Sequence, residues 1–224
     1  MTRTQKRYSG VVVPMMTPFT ANGKVDTPSI ARLTNHVVAH GTHPFVLGTT
    51  GEAVSIARSQ RMKVVEATVF AVQGRATVYA GISGNALEDV VAEANCYATL
   101  GVDVVVSTMP SYYPVDEIQI IRYFTQLADS LHVPLIVYNI PATTHLSIPV
   151  SVADQLSQHP NIIGFKDSER GVERIAEATT LWKDRADFSY FMGWALMSRQ
   201  ALAQGADGII PSSGNVAPAV YRKI

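Results

Sequence analysis

The feature that most constrains this chain is an alternation. Short β-branched runs take turns with longer stretches of helical period from one end to the other. Eight runs read as strands: Gly10 to Val13, Phe45 to Gly48, Thr77 to Gly81, Asp103 to Thr108, Leu135 to Tyr138, Ile162 to Lys166, Tyr190 to Gly193 and Gly208 to Ser212. Within them apolar and polar residues alternate little, as expected of parallel strands buried on both faces. The intervening helices have recognisable ends. One follows Thr27, with Pro28 in its first turn, Ile30, Leu33, Val37 and Val38 on one stripe, and Gly41 as its stop. Others stop at Gly74, Gly101 and Gly205, where a left-handed cap suits glycine. Another opens at Asp116 and is expected to bury Ile118, Ile121, Leu127 and Leu131 before Pro134 closes it.

Eight strand–helix units without a Pro/Ser-rich linker predict one α/β domain over residues 1–224, a (β/α)8 TIM barrel, in preference to an open doubly wound sheet. Only Ala217 to Ile224 follow Asn215, so the eighth helix is expected to be stunted. The first and last strands would then lie partly uncovered.

Charge narrows the function classes. Of the 224 residues, 16% are charged, 18 basic against 18 acidic, and the one basic stretch is the short Arg3 to Arg7. Such a neutral surface gives no electrostatic footprint for nucleic acid or an anionic membrane, which leaves small-molecule chemistry. The single cysteine, Cys96, excludes an internal disulfide and fits a reducing compartment, so the expected location is the cytoplasm. The apolar run Val11 to Met16 is far shorter than the roughly 20 residues of a membrane span.

In a barrel, chemistry sits at the C-terminal ends of strands. The sixth strand ends in Gly164-Phe165-Lys166, and a period of two puts Lys166 on the face of Gly164. If that face points inward, the ammonium enters the barrel mouth above a gap left by the glycine. Burial would lower its pKa, and a neutral amine can attack a carbonyl to form a Schiff base. A lysine at a strand end can equally pair with Asp167 or Glu169. One strand over, Tyr138 heads Tyr138-Asn139-Ile140-Pro141 and could pass the protons that imine formation requires, or simply pack in the rim. After the second strand, Gly48-Thr49-Thr50-Gly51-Glu52 offers backbone N–H groups and two hydroxyls suited to a carboxylate. The proline-bracketed Ser111-Tyr112-Tyr113 could send one ring to a site and one to an interface, and Pro211 to Asn215 could line the mouth.

Several chemistries lack their motifs. Dinucleotide, P-loop, H-E-x-x-H and G-x-S-x-G patterns are absent, and His36, His40 and His43 have no further ligand to complete a metal set.

Taken together, the strand-end motifs resemble those of the dihydrodipicolinate synthase and N-acetylneuraminate lyase family of class I, Schiff-base pyruvate aldolases. The likeness runs from Gly10 to the end of the chain, and its most specific parts are Gly48 to Glu52, Tyr138 to Pro141 and Gly164 to Lys166 in the family's order. The resemblance implies that Lys166 forms the imine with a 2-oxo acid and that Tyr138 is the proton shuttle. Thr49 and Thr50, with Gly51, would hold the substrate carboxylate, Thr49 also relaying protons. Tyr112 would be the tyrosine lent across a dimer interface, and Ile210 would offer its backbone near the bound oxo acid. It implies pyruvate and an aldehyde as partners, no cofactor or metal, and a homodimer or homotetramer.

Two departures bear on the substrate. Thr143 stands where the synthase branch carries an arginine for the aldehyde's carboxylate. Gly193-Trp194-Ala195-Leu196 stands where the sialic acid lyases carry acidic residues for sugar hydroxyls. The expected activity is therefore a lyase for a simpler 2-keto-3-deoxy acid. The alternatives are 4-hydroxy-tetrahydrodipicolinate synthase proper, a non-catalytic barrel that binds a 2-oxo acid, and a metal-dependent aldolase. Family members also continue into a C-terminal helical segment, for which this sequence has no counterpart.

Overall fold

Each β-branched run becomes a strand. A computed structural model describes residues 6–224, so most of the basic stretch from Arg3 lies outside the described residues. The strands are β1 (Gly10–Pro14), β2 (His43–Val46), β3 (Tyr79–Gly81), β4 (Val104–Thr108), β5 (Leu135–Asn139), β6 (Ile162–Asp167), β7 (Ser189–Met192) and β8 (Gly208–Ile209). They pair in parallel in sequence order, and β1 pairs with β8 to close the barrel. The helices are α1 (Thr27–Ala39), α2 (Arg58–Val72), α3 (Leu87–Leu100), α4 (Glu117–Asp129), α5 (Pro141–Thr144), α6 (Val150–Leu156), α7 (Val172–Trp182), α8 (Ser198–Gln204) and α9 (Pro218–Tyr221). None is long and apolar enough to cross a membrane, among the described residues.

Two packed layers follow from strand alternation. Val12, Phe45, Tyr79, Val104, Val106, Ile136, Tyr138 and Phe191 point inward and fill the barrel. Val11, Val13, Val46, Val105, Val137 and Phe165 point outward, where the helices cover them. A register shift between Leu135 and Ile136 opposes the step from Ile162 to Gly164 on β6. That bulge lets Ile162 and Phe165 both pack outward while Gly164 and Lys166 remain on the inner face.

Local signals explain the helix ends. Asp26 accepts from Ser29 N at 3.2 Å to cap α1, and Asp116 and Gln119 form a reciprocal capping box at α4. Three expectations are corrected. Ile118 is 76% exposed and Ile121 only partly buried, while Leu127 and Leu131 are buried as expected; α4 also buries Ile120, Phe124 and Ala128, because the 3.6-residue stripe that continues to Leu131 passes through 120 and 124. Helix α2 ends at Val72 with Gln73 as its left-handed cap, one residue before Gly74. The eighth helix is short, with four residues in α9, but β1 and β8 are not uncovered: Val11, Val13, Ile209 and Ile210 are all buried. The turn Ser212–Asn215 lies against Val13, so close that a side chain on Gly214 would touch it at 2.9 Å. Asn215 ties that turn to β1, donating to Pro14 O at 2.8 Å and accepting from Met16 N at 3.0 Å. The apolar exposure falls on Val216, Val220 and Ile224.

Candidate active site

Lys166 lies near the C-terminal end of β6, between Tyr138 of β5 and Phe191 of β7 in the strand register. Its position is the predicted inward one, but no gap lies beneath it. Ile136 and the Ser189 carbonyl fill the space beside Gly164, and a side chain there would meet them at 3.4 and 2.7 Å. Lys166 is 3% exposed and makes no ion pair among the described residues. Its Nζ sits 3.6 Å from the centre of the Tyr138 ring and 4.9 Å from that of Phe45. Burial penalises the ammonium and pulls the Lys166 pKa below that of an ordinary lysine, with Tyr138 opposing the shift only in part. A desolvated amine that readily gives up its proton is a nucleophile.

Tyr138 is buried by the same packing. Burial alone raises its pKa, but the Lys166 charge and the hydroxyls of Ser168 and Thr49 outweigh burial and bring the phenol below its usual value. Thr49 Oγ1 lies 3.4 Å from the Tyr138 hydroxyl. The amine thus lies against the face of the phenol ring, and the phenol hydroxyl adjoins the exposed Thr49.

The turn that presents Thr49 is strained and is held in that conformation by its surroundings. Leu47 and Glu52 on either side adopt φ of 57° and 56°, a region costly for residues with a side chain. The β2 backbone bends against β3 at Gly81, where any side chain would collide with the Leu47 carbonyl. Within the turn, Gly51 N donates to Gly48 O at 3.0 Å and Glu52 N to Thr49 O at 3.1 Å. Those two donors are spent on the turn itself.

A cleft of about 340 Å³ opens above Tyr138. Of the predicted site residues it gathers Thr49, Tyr138 and Thr143, with Lys166 beneath the Tyr138 and Phe45 rings. The others lie outside its lining. Thr50 is half-buried and Gly51 buried, its carbonyl accepting from Thr17 Oγ1 at 2.7 Å. Ile210 is buried with its N–H on Met192 O at 2.8 Å, and the Gly193 N–H donates to Asp167 O at 2.7 Å. Tyr112 is 78% exposed and stacks edge-on against Tyr113, and only Ser111 of that loop reaches the cleft.

Sequence reasoning missed four polar wall residues. Ser83 and Asn85 follow β3, Thr108 ends β4 and Thr144 follows Thr143. The rule of reading strand ends points to the first three, but β3 carried no motif to draw attention. Ser168, two residues past Lys166, is the fifth omission. Among the described residues, no three His, Cys, Asp or Glu side chains cluster as a metal site requires.

Comparison with known proteins gives the family of the chain. The model of the dihydrodipicolinate synthetase family matches residues 7–224. A curated relative from Thermofilum pendens, named an uncharacterized DapA-like lyase, is 33% identical over 221 residues, 97% of this chain and 73% of the relative. The 4-hydroxy-tetrahydrodipicolinate synthase of Acidiphilium cryptum is 32% identical over 212 residues, 94% of this chain and 72% of the relative. Among solved structures, YagE of E. coli K12, a prophage protein of the dihydrodipicolinic acid synthase family in complex with pyruvate, superposes with a TM-score of 0.92 at 30% identity, covering 97% of this chain and 74% of that one.

Proposed function

This chain belongs to the dihydrodipicolinate synthetase family of lyases, and from that premise we propose that it makes or breaks a carbon–carbon bond of a 2-keto-3-deoxy acid through a pyruvate imine on Lys166. The observation that carries the reading is a buried lysine with no carboxylate partner among the described residues, packed under a tyrosine whose hydroxyl adjoins Thr49.

The neutral Lys166 amine attacks the pyruvate C2 carbonyl to give a carbinolamine, and loss of water leaves the protonated imine. The Tyr138 hydroxyl delivers the proton that the departing oxygen needs, with Thr49 passing protons between it and solvent. Loss of a methyl proton then gives the enamine, the imine nitrogen acting as electron sink. The enamine attacks the aldehyde carbonyl, water releases the product and Lys166 is restored. Cleavage is the same path reversed. Thr49 and Thr50 hold the carboxylate through their hydroxyls and N–H groups, with Gly51 bracing the turn, Ile210 and Gly193 closing the far side, and Tyr112 serving a neighbouring subunit. YagE, solved with pyruvate, supports the oxo-acid partner.

The acceptor side follows from the wall. Ser83, Asn85, Thr108, Ser111, Thr143 and Thr144 line the cleft, and among the described residues no charged side chain does. Hydroxyl and amide groups match an uncharged, hydroxylated aldehyde, whereas a carboxylate-bearing one would enter without a cationic partner. The names of the relatives favour a second reading, 4-hydroxy-tetrahydrodipicolinate synthase itself.

Incubation with pyruvate and borohydride, followed by peptide mass spectrometry, tests the class. One reduced adduct on the peptide containing Lys166 is expected, and folded protein without it would sink the lyase reading in favour of a binding barrel. Condensation assays with D-glyceraldehyde and with aspartate semialdehyde then separate the two acceptors. Preference for the second would establish the synthase.

A further inference from the structure

Outside the cleft, one position beyond each catalytic residue, a second polar cluster joins the same two strand ends. Asn139 follows Tyr138 and Asp167 follows Lys166, so both face away from the barrel interior, and both are buried. Asn139 Nδ2 donates to Asp167 Oδ1 at 2.9 Å and to Glu169 Oε2 at 2.8 Å. Arg174 of α7 grips Asp167 Oδ2 through Nε at 3.1 Å and Nη2 at 2.9 Å, and its Nη1 lies 3.6 Å from Glu169.

The cluster also reaches the segment between α5 and α6. Ser147 Oγ donates to Glu169 Oε2 at 2.7 Å, Ile148 N donates to Asn139 Oδ1 at 3.0 Å, and Arg174 Nη2 donates to Ile148 O at 3.0 Å. Three ties on two consecutive residues fix a segment with little internal structure. It begins with the four-residue α5 and turns at His145, a non-glycine residue with φ of 58° that holds this conformation only under constraint. Thr144 Oγ1 connects the turn onward, donating to Leu146 O at 3.1 Å. Thr143 and Thr144 are the part of this segment that lines the cleft.

We propose that Glu169 is a positioning residue for the acceptor wall: with Asn139 and Arg174 it pins Ser147 and Ile148 to the ends of β5 and β6, and so sets Thr143 and Thr144 against the incoming aldehyde. The proposal rests on the lyase reading above and deepens it. Pyruvate is proposed to bind on the Thr49 and Lys166 side, and the side chains of this cluster face away from it. Releasing Ser147 and Ile148 should therefore weaken aldehyde binding while sparing imine formation.

The test compares Glu169→Leu and Ser147→Ala with the conservative Glu169→Gln. With pyruvate alone, borohydride trapping on Lys166 should stay within about twofold of the unsubstituted protein in all three. The KM for D-glyceraldehyde in condensation with pyruvate should rise about tenfold in Glu169→Leu and Ser147→Ala, with Glu169→Gln recovering most of the loss. An equal fall in both half-reactions, as general destabilisation would give, overturns the proposal, as does an unchanged KM. If the unsubstituted protein traps pyruvate but condenses no glyceraldehyde, or traps no pyruvate, it is the functional reading that fails. Amide hydrogen exchange over residues 141–149 then decides the inference: exchange faster by about tenfold in Glu169→Leu upholds the tie, and unchanged exchange refutes it.

Discussion

Two lysines are buried in this barrel, and their surroundings differ in kind. Lys6, 6% exposed, sits under the N-terminal ends of the strands, and Lys166, 3% exposed, near the C-terminal ends. Lys6 Nζ donates to Trp182 O at 2.7 Å, to Phe188 O at 2.6 Å and to the Asp207 carboxylate at 2.8 Å. Its three donors have three acceptors, one of them charged. Lys166 meets the faces of Tyr138 and Phe45 and no carboxylate. A buried ammonium whose donors are met by acceptors is costly to unpair, whereas one left against rings is driven toward the neutral amine. At one end of the barrel a buried lysine is matched by acceptors, and at the other burial favours the neutral amine that the proposed chemistry needs.

The comparison breaks first, and most visibly, at Lys166. Lys166→Ala should abolish borohydride trapping and lower turnover by at least about 10⁴-fold, while Lys166→Met keeps or raises the melting temperature because an uncompensated polar group is removed. A large loss of stability in Lys166→Met would mean that the amine is compensated after all. The next largest effect is at the other end. Lys6→Met should cost about 3–5 kcal/mol in urea unfolding, since it takes a buried cation away from the Asp207 carboxylate, which also accepts from Tyr190 N at 2.8 Å. Imine trapping per folded molecule should not change, and loss of trapping there would erase the contrast.

Tyr138→Phe keeps the ring over Lys166 and removes only the hydroxyl. Condensation should fall by about 10²–10⁴-fold, with trapping slowed but still confined to Lys166. An undiminished rate would assign proton transfer to Ser168 or water. The smallest expected signal is in the pH dependence of stability. Because burial lowers the Lys166 pKa, the folded chain binds fewer protons than the unfolded one between that lowered value and the ordinary lysine value near 10.4. Stability contributed by this group therefore rises with pH across that window. Urea midpoints should lose that part of the rise in Lys166→Met, and an unaltered slope would place the perturbed proton elsewhere.

Much of the candidate site's geometry was legible because its signals are local. Lys166, Tyr138 and the Thr49 turn each end a β-branched run, and strand ends in a closed parallel barrel converge whatever the loops do. The Glu169 cluster was not legible, since Asn139, Ser147, Glu169 and Arg174 have no spacing of their own as a group. Their meeting depends on β5 and β6 lying side by side and on α7 folding back over both. Tyr112 shows another boundary: it is exposed and outside the cleft lining, so the role proposed for it across a subunit interface has no counterpart within one chain.

Sequence periodicity was enough to fix the order and type of the elements, because backbone sterics and the burial of every second or every third-to-fourth residue act over a few positions. It also put Lys166 and Gly164 on one face. What surrounds that face was decided by packing between distant parts of the chain. The bulge at the start of β6 set how the strand meets β5, the Ile136 side chain filled the space beside Gly164, and Lys6 found Asp207 across 201 residues of sequence. The charge state of a buried lysine depends on whether such a partner arrives, and no local pattern encodes that arrival.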